Sequence, residues 1–346
     1  MSAATGTADA ARDTAALHRA DVVAAAGWLA SRVVGTPVIR SAALDRIAGA
    51  RLWLKAENLQ HSGSYKFRGA LRAVGRAAIE AHAAGVIAQS TGNHALAVAQ
   101  AAHQYGVAAT LVLPIDAAPT KIAKAEASGA TVVLAGTTVD ERLAVVERLH
   151  ADTGHTVIDA YDHPDVVAGQ GSASLELIEE ARRRGTHLDA IVVPVGGGGG
   201  VAGACLAAEG QGIAVYGVEP VGCDSLRQSL AADRRVTVPP ARTLADGLRP
   251  SCVGNLPFQI ARHAVAGVIE VGDEAIAGAL CAVLFHTNLL VEPSGAAGLA
   301  GALSLAAAHS FTNIGVVLTG GNVEPALVAQ LVTQHGATTA TTGRIA

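Results

Sequence analysis

Short apolar segments alternate with alanine-rich helical segments along this chain, and this alternation constrains the fold more than any other sequence feature. The apolar pattern predicts strands at Arg51–Lys55, Gly85–Gln89, Ala109–Leu113, Thr131–Leu134, Ala190–Val195, Ala214–Glu219 and Ile314–Thr319. Helical periodicity predicts helices at Leu71–Ala84, Ala95–Tyr105, Val139–Thr153, Ser172–Arg184 and Glu274–Phe285. Strands that alternate with helices form parallel sheets with helices on both faces. The sequence therefore predicts an α/β fold.

Composition excludes several functional classes. Half of the 346 residues are apolar and 16% are charged, which predicts a folded chain of about two domains. The net charge is −4, so we expect no nucleic-acid partner. Residues 190–208 carry no charge, but a proline and a run of five glycines there make a membrane span unfavourable, and we expect none. The four cysteines are scattered without a CxxC pair, which predicts reduced thiols and a cytoplasmic protein. Residues 220–257 hold five of the twelve prolines and are predicted to be largely irregular.

One of only four lysines stands in a setting that suits covalent chemistry. Lys66 lies between Tyr65 and Phe67, directly after a turn of glycine and serines. Aromatic neighbours remove water from an amine, which lowers its pKa and supplies the neutral form that a Schiff base requires. The alternative from this pattern alone is an ordinary surface lysine at the start of a helix.

A run of five glycines follows the predicted strand IVVPV. Successive glycine amides at the start of a helix form a nest that suits a phosphate group. A second interpretation is open, because Gly198, Gly200 and Gly203 match the dinucleotide pattern GxGxxG and the next strand ends in the acidic Glu219. That interpretation predicts an NAD-dependent oxidoreductase.

Three further motifs follow or precede predicted strands. QSTGNHA combines hydroxyl groups and amides at a helix start, which suits a carboxylate, and VEPSGAA and LTGGN lie nearer the carboxyl end of the chain. Ligands of parallel sheets bind where the strands end. We therefore expect these motifs to surround one cleft.

Together the motifs resemble one family, the fold-type II pyridoxal-phosphate enzymes, and within it the branch of serine/threonine dehydratases and serine racemases. The resemblance runs from Thr36 to Asn322 and rests on GSYKFRGA, STGNHA, LPIDAAPTK, YDHPDVVAGQGS, PVGGGG, TLADGL, VEPSGAAGLA and TGGN. It implies a tryptophan synthase β-like fold with two open, twisted, mostly parallel sheets flanked by helices. It also implies a large cofactor-binding domain of residues 1–84 and 162–346, a small mobile domain of residues 85–161, and a homodimer or homotetramer.

The resemblance also implies a role for each motif. Lys66 holds pyridoxal 5'-phosphate and moves the Cα proton of an amino-acid substrate, with Thr91 as a second catalytic residue. The remaining cofactor contacts are Asn93 at the ring hydroxyl, Gly196, Gly197, Gly198 and Gly199 at the phosphate, Glu292 nearby, and Thr319 at the pyridine nitrogen. The substrate contacts are Ser90, Thr91, Gly92 and His94.

These roles predict β-elimination from an L-3-hydroxy amino acid such as L-threonine or L-serine, giving a 2-oxo acid and ammonia. A neutral Thr319 hydroxyl does not force the pyridine nitrogen to carry a proton, so the ring is a weaker electron sink and a β leaving group departs readily. A racemase is the first alternative, although Thr91 replaces the second serine that racemases of this branch use. A dehydratase for 3-hydroxyaspartate or phenylserine is another alternative, and Arg142 could then read a second polar group on the substrate or could simply pair with a helix acid.

Some relatives hold a divalent cation, and this sequence matches that site only in part. That site uses a Glu, a backbone carbonyl four residues on and an Asp two residues further. Glu219 and the Cys223 carbonyl are in register with the first two positions, whereas Ser225 takes the third and Asp224 comes one residue early. Glu219 and Cys223 are therefore the candidate metal residues.

Overall fold

The computed structural model describes residues 17–90, 92–117, 119–136 and 139–342. Its α-helices, in chain order, are α1 Arg19–Leu29, α2 Ala42–Ala48, α3 Lys66–Ile79, α4 Asn93–Tyr105, α5 Pro119–Ala127, α6 Val139–Thr153, α7 Pro164–Arg183, α8 Gly199–Ala208, α9 Ser225–Ala231, α10 Asn255–Ala264, α11 Asp273–Thr287, α12 Pro293–Ala308 and α13 Pro325–Thr342. Its strands are β1 Val38–Ile39, β2 Arg51–Ala56, β3 Gly85–Gln89, β4 Ala108–Leu113, β5 Thr131–Leu134, β6 Thr156–Val157, β7 Ala190–Pro194, β8 Ala214–Pro220, β9 Val265–Val271 and β10 Asn313–Leu318. Short 3-10 turns lie at Glu57–Leu59, His61–Gly63 and Asp246–Leu248.

The strands form two sheets. A six-stranded sheet has the order β1-β2-β10-β7-β8-β9 and is parallel except for the short edge strand β1. A four-stranded sheet has the order β5-β4-β3-β6 and is parallel throughout. The predicted α/β class with two mostly parallel sheets is confirmed. The smaller sheet lies within the predicted small domain, whose boundaries stay a prediction.

Alternate residues of each central strand face different cores. In β2, Leu52 and Leu54 enter a core formed with α11 and α12, whereas Trp53 enters the opposite core with α7 and α8. In β3, Val86 packs with α3 and α4, and Ile87 packs on the other face against α6. Both sheets are therefore covered by helices on two faces, which explains their continuous apolar character. Within the described residues, no helix combines the length and apolar character that a bilayer span requires.

Three predictions about local structure were wrong in part. The helix predicted from Ser172 begins eight residues earlier, at Pro164. The helix predicted from Leu71 begins earlier, at Lys66, so the candidate lysine is the first residue of α3. The segment 220–257 is irregular only in part, because α9 and the start of α10 lie inside it. The Glu219 carboxylate stabilises α9 by accepting hydrogen bonds from the amides of Leu226 (2.8 Å) and Arg227 (3.0 Å) at its start. A buried carboxylate cap of this kind leaves no periodic signal in the sequence.

Candidate active site

The predicted motifs meet at the carboxyl ends of four strands. The chain leaves β2 towards Lys66, β3 towards Ser90, β7 towards the glycine run and β10 towards Thr319. Backbone bonds tie two of these segments together, because the Tyr65 amide donates to the Thr319 carbonyl (3.0 Å) and Ser64 pairs with Gly320. The structure thus brings Lys66 and Thr319 to one place, as the cleft hypothesis required.

Lys66 is a partly buried amine, and no carboxylate among the residues that the structure describes contacts it directly. Its Nζ atom donates to the Ala160 carbonyl oxygen at 2.8 Å and lies 5.4 Å from the centroid of the Tyr65 ring. Burial lowers its pKa to about 8, and the nearby Asp159 charge opposes this shift. About a tenth of the amine is neutral at pH 7, far more than for an exposed lysine. The side chain therefore has the neutral form that covalent chemistry requires.

Two residues further along α3, Arg68 anchors the start of this helix in a buried ion-pair cluster. Its guanidinium donates to Glu57 on two atoms (2.7 and 2.8 Å) and to Glu176 on two atoms (2.6 and 2.8 Å). Lys55 completes the cluster with bonds to Glu176 (2.6 Å) and to the Thr36 carbonyl (2.7 Å). Two cations and two anions thus neutralise each other, three of them buried and the Glu176 side chain 30% exposed. The cluster fixes the first turn of α3 against β2 and α7, and Lys66 with it.

The glycine run lies where side chains could not fit. A Cβ atom on Gly197 would overlap the ring of Tyr161, and one on Gly196 would lie 2.8 Å from the Gly247 carbonyl oxygen. Gly198 adopts a φ of 91° as the residue before α8, a conformation that favours glycine. The first amides of a helix have no carbonyl partner within it. This turn therefore offers free N–H groups at close range, and it fits a phosphate.

Asn93 belongs to a chain of polar side chains next to Gly320. Its Nδ2 atom donates to Glu292 Oε1 (2.6 Å), and its Oδ1 atom accepts from Asn322 Nδ2 (2.8 Å). Gly320 has no room for a side chain, because a Cβ there would overlap Glu292. The second hydrogen on Asn93 Nδ2 stays available for an oxygen such as the ring hydroxyl of the cofactor. The predicted contacts Asn93, Glu292 and Thr319 thus lie together.

The QSTGNHA motif begins α4 beside Lys66. The Gly92 amide donates to Ser90 Oγ at 3.2 Å, while Thr91 lies outside the described residues and its catalytic role stays a prediction. His94 is buried, and its Nε2 donates to the Ile158 carbonyl at 2.9 Å. Burial, with the charge of Lys66, lowers the pKa of His94 to about 4, so the ring is neutral. Its Nδ1 is then an acceptor, which cannot donate a hydrogen bond to a substrate carboxylate.

At the candidate cation site the Glu219 carboxylate is engaged as a helix cap, and the metal assignment stays a prediction. Both Glu219 oxygens accept helix amides, and the Cys223 thiol donates to the Ala241 carbonyl at 3.5 Å. Burial raises the pKa of Cys223, which keeps it a thiol. No group of three or more His, Cys, Asp or Glu side chains could hold a metal within the part of the chain that the structure describes. Arg142 is partly buried on α6, and burial lowers its pKa.

Several contacts of Lys66 and the glycine run were not predicted individually. Ala160 acts through its backbone carbonyl, which also accepts Gln170 Nε2 at 3.2 Å, and Tyr161 covers the glycine run. Tyr161 and Gln170 lie in the motif YDHPDVVAGQGS and Ala160 directly precedes it, so the motif carried the signal although no role was assigned to them. A backbone contact leaves no trace in residue type.

Comparison with known proteins decides between the two interpretations of the glycine run. Residues 29–320 match the family described as pyridoxal-phosphate dependent enzyme. This chain belongs to that family. The predicted fold and the predicted pyridoxal-phosphate cofactor are confirmed, and the dinucleotide interpretation was wrong. Its ribose-binding candidate Glu219 is instead a buried helix cap.

The relatives of this family member carry out more than one reaction. The chain is 36% identical to an L-threo-3-hydroxyaspartate ammonia-lyase of Saccharomyces cerevisiae over 90% of this chain and 95% of that protein. It is 36% identical to a serine racemase of Oryza sativa subsp. indica over 86% of this chain and 88% of that protein. A solved threonine deaminase of T.th. is similar with a TM-score of 0.83 and 41% identity, over 88% of this chain and 98% of that one. The resemblance stated from the motifs is confirmed at the level of the family.

Proposed function

We propose that this chain is an ammonia-lyase that eliminates water from an L-3-hydroxy amino acid such as L-threonine or L-serine. The products are a 2-oxo acid and ammonia, because the water lost in elimination is regained when the resulting imine hydrolyses. The observation that carries the proposal is the pairing of a desolvated amine, Lys66, with an alcohol, Thr319, through the hydrogen bond from the Tyr65 amide to the Thr319 carbonyl. Lyases and a deaminase among the similar proteins support it.

The residues of this chain divide the chemistry between them. Pyridoxal phosphate, when bound, withdraws electrons from Cα and makes its hydrogen acidic. Lys66 attaches the cofactor and then takes the Cα proton, since its lowered pKa supplies a neutral amine near neutral pH. Thr319 would face the pyridine nitrogen with a neutral hydroxyl in place of a carboxylate. The electron pair of the broken Cα–H bond would form the Cα–Cβ double bond as the Cβ–O bond breaks, and Lys66 would return its proton to the departing hydroxyl, which leaves as water.

Residues that follow the carboxyl ends of the strands position the cofactor and the substrate. The glycine turn Gly196–Gly199 holds the phosphate through backbone amides, and Asn93 binds the ring hydroxyl while Glu292 and Asn322 orient its amide. Ser90, Thr91, Gly92 and the ring of His94 line the site of the substrate carboxylate. The smaller sheet and its helices close over the substrate and exclude water.

The cellular location, the substrates and the assembly of the protein are also part of the proposal. The four cysteines are free thiols, as in proteins of a reducing compartment, which supports a cytoplasmic location. Small-molecule amino acids are the expected substrates. A homodimer or homotetramer remains the expected assembly.

Racemisation is the second candidate, and the similarity to serine racemases favours it. A racemase requires an acid or base on the face of Cα opposite Lys66, and Thr91 would have to supply it. Racemisation returns serine of the other hand, whereas elimination consumes the amino acid. Chiral analysis of recovered serine therefore separates the two candidates.

The proposal is tested with a panel of L- and D-threonine, serine, phenylserine and 3-hydroxyaspartate, with 2-oxo acid and ammonia measured together. We expect equal amounts of both products from one L-substrate. Lys66→Ala should lower kcat/KM at least about a thousandfold and abolish the visible absorbance of the bound cofactor. Lys124→Ala is the matched control, because Lys124 is an exposed lysine paired with Glu324. Serine that only changes hand, with no 2-oxo acid, would show a racemase instead.

A further inference from the structure

Tyr65 directly precedes Lys66, and hydrogen bonds fix both its backbone amide and its backbone carbonyl. Its amide donates to the Thr319 carbonyl at 3.0 Å, and its own carbonyl accepts the Arg68 amide at 3.0 Å in the first turn of α3. The backbone from which the Tyr65 ring projects is therefore fixed in position. Lys66 Nζ lies 5.4 Å from the centroid of this ring. Tyr65 thus stands next to the amine that attaches the cofactor.

The far end of the Tyr65 ring reaches the glycine run. A Cβ atom built on Gly200 would lie 2.9 Å from both Oη and Cε2 of Tyr65. Gly200 is the second residue of α8, and Cβ directions tilt towards the start of a helix. The Tyr65 hydroxyl therefore lies beside the first turn of α8, on the side where its amides have no helical partner. A phosphate bound by that turn lies on the same side.

The Tyr65 hydroxyl makes no hydrogen bond to another residue that the structure describes. Burial raises the pKa of this phenol, and the neighbouring Glu292 charge raises it further, so the group keeps its proton. The residue is only partly buried, and a protonated phenol beside a ligand site is a donor that an oxygen of the ligand can accept from. Phosphate oxygens are strong acceptors for such a group.

We propose that the Tyr65 hydroxyl donates a hydrogen bond to the phosphate of pyridoxal phosphate. The phosphate is then held by backbone amides of the glycine turn on one side and by this phenol on another. The assignment depends on the cofactor of the family and is independent of whether the reaction is elimination or racemisation. Tyr65 is accordingly a cofactor-binding residue that also packs against Gly200.

Tyr65→Phe tests the assignment, because phenylalanine keeps the ring and removes only the hydroxyl. Cofactor-depleted full-length protein is titrated with pyridoxal phosphate and, separately, with pyridoxal, which has the same ring and aldehyde but no phosphate. We expect the Kd for pyridoxal phosphate to rise about 10- to 100-fold, as for loss of a hydrogen bond to a charged group. The Kd for pyridoxal should change less than about twofold, because it has no phosphate to lose contact with.

Two outcomes would overturn the assignment. An unchanged Kd for pyridoxal phosphate would mean that the hydroxyl contacts something else, and an equal loss for both ligands would mean that it acts on the pocket as a whole. Tyr216→Phe is the matched control, because Tyr216 lies on β8 with its ring against His309 and Phe311. It should leave both Kd values unchanged.

A second measurement does not depend on affinity. The 31P resonance of the holoenzyme reports the ionisation of the bound phosphate over a pH series. A donor to the phosphate favours its dianionic form, so its removal in Tyr65→Phe should raise the phosphate pKa. An identical titration in both proteins would contradict the hydrogen bond even if the Kd had changed.

Discussion

Two lysines that are withdrawn from solvent, Lys55 fully and Lys66 in part, have opposite surroundings in this protein. Lys55 contacts the Glu176 carboxylate at 2.6 Å and lies 3.9 Å from that of Glu57, inside the cluster that Arg68 completes. Lys66 contacts a neutral carbonyl and an aromatic ring, and burial lowers its pKa to about 8. Both amines are shielded from water, but Lys55 has carboxylate partners whereas Lys66 has a carbonyl. A lysine with paired carboxylates holds the structure together, whereas one without them is free to react.

The same contrast explains why the two regions adjoin. An amine without a direct carboxylate partner is costly to bury, so the protein must hold it in place by other means. Arg68, two residues from Lys66, supplies this anchor through Glu57 and Glu176. The cluster therefore serves the reactive amine indirectly, as a positioning device behind the first turn of α3.

The largest expected effects come from removing each lysine in turn. Lys55→Met leaves Glu57 and Glu176 with one fewer cation in a buried site and should lower the free energy of unfolding by about 3–5 kcal/mol. Lys66→Met should raise it at pH 7 by about 1–3 kcal/mol. The folded pKa of about 8 lies below the ordinary 10.5, so below pH 10.5 this amine favours the unfolded chain, and fully so below pH 8.

Urea unfolding of the cofactor-depleted variants at pH 7 measures both effects. Lys124→Met is the control, because its side chain is 52% exposed and its removal should change little. The gain from Lys66→Met should also disappear at about pH 11, where the amine is neutral in both states. If both buried variants lost stability equally, the contrast between the two regions would be refuted.

A smaller effect is expected from glycine substitutions in the turn before α8 and within α1. Gly197→Ala forces a methyl group into the Tyr161 ring, so the turn before α8 or the ring must shift. We expect cofactor affinity to fall about tenfold or more and stability to fall by about 1–3 kcal/mol. Gly27→Ala in α1 has open space and should raise stability by about 0.5–1 kcal/mol.

Equilibrium dialysis with pyridoxal phosphate and urea unfolding measure the two quantities on both variants. The two variants should change stability in opposite directions, and this difference in sign is the clearest test. Should Gly197→Ala bind cofactor as tightly as the unaltered chain, the turn would not need its glycines for phosphate binding.

The predictable part of this molecule is the part that depends on pattern. The strands β3 and β5 were predicted to the residue, and β7, β8 and β10 to within one residue. The strands β3, β7 and β10 are buried almost throughout, and strands covered on both faces are apolar along their length. The two-residue strands β1 and β6 carry too little sequence to show a period. The strand β9 is half-buried or exposed along most of its length, and Gly267 and Glu270 interrupt its larger apolar side chains.

The candidate site divides in the same way. Lys66, Asn93 and Thr319 were found because their motifs are distinctive, and the structure places them together. The carbonyl of Ala160 was not found, because any residue can supply a backbone carbonyl. The ion-pair cluster around Arg68 was missed for another reason. Its other members, Lys55, Glu57 and Glu176, come together with Arg68 only in the folded chain, and they do not share one local sequence pattern.

The smallest expected effect concerns a charge that acts on Lys66 without touching it. The Asp159 carboxylate raises the pKa of Lys66, so Asp159→Asn should lower that pKa below about 8. Asparagine keeps the Oδ1 atom that accepts the amides of Tyr161 (2.8 Å) and Asp162 (2.6 Å), so the turn should survive and only the charge is lost.

Cofactor attachment requires the neutral amine, and its rate therefore rises through the Lys66 pKa. The midpoint of a rate–pH profile should move to lower pH by up to about one unit in Asp159→Asn. Asp165→Asn, which removes a carboxylate paired with Arg76, should leave the midpoint in place, and a shift to higher pH in Asp159→Asn would contradict the assigned field.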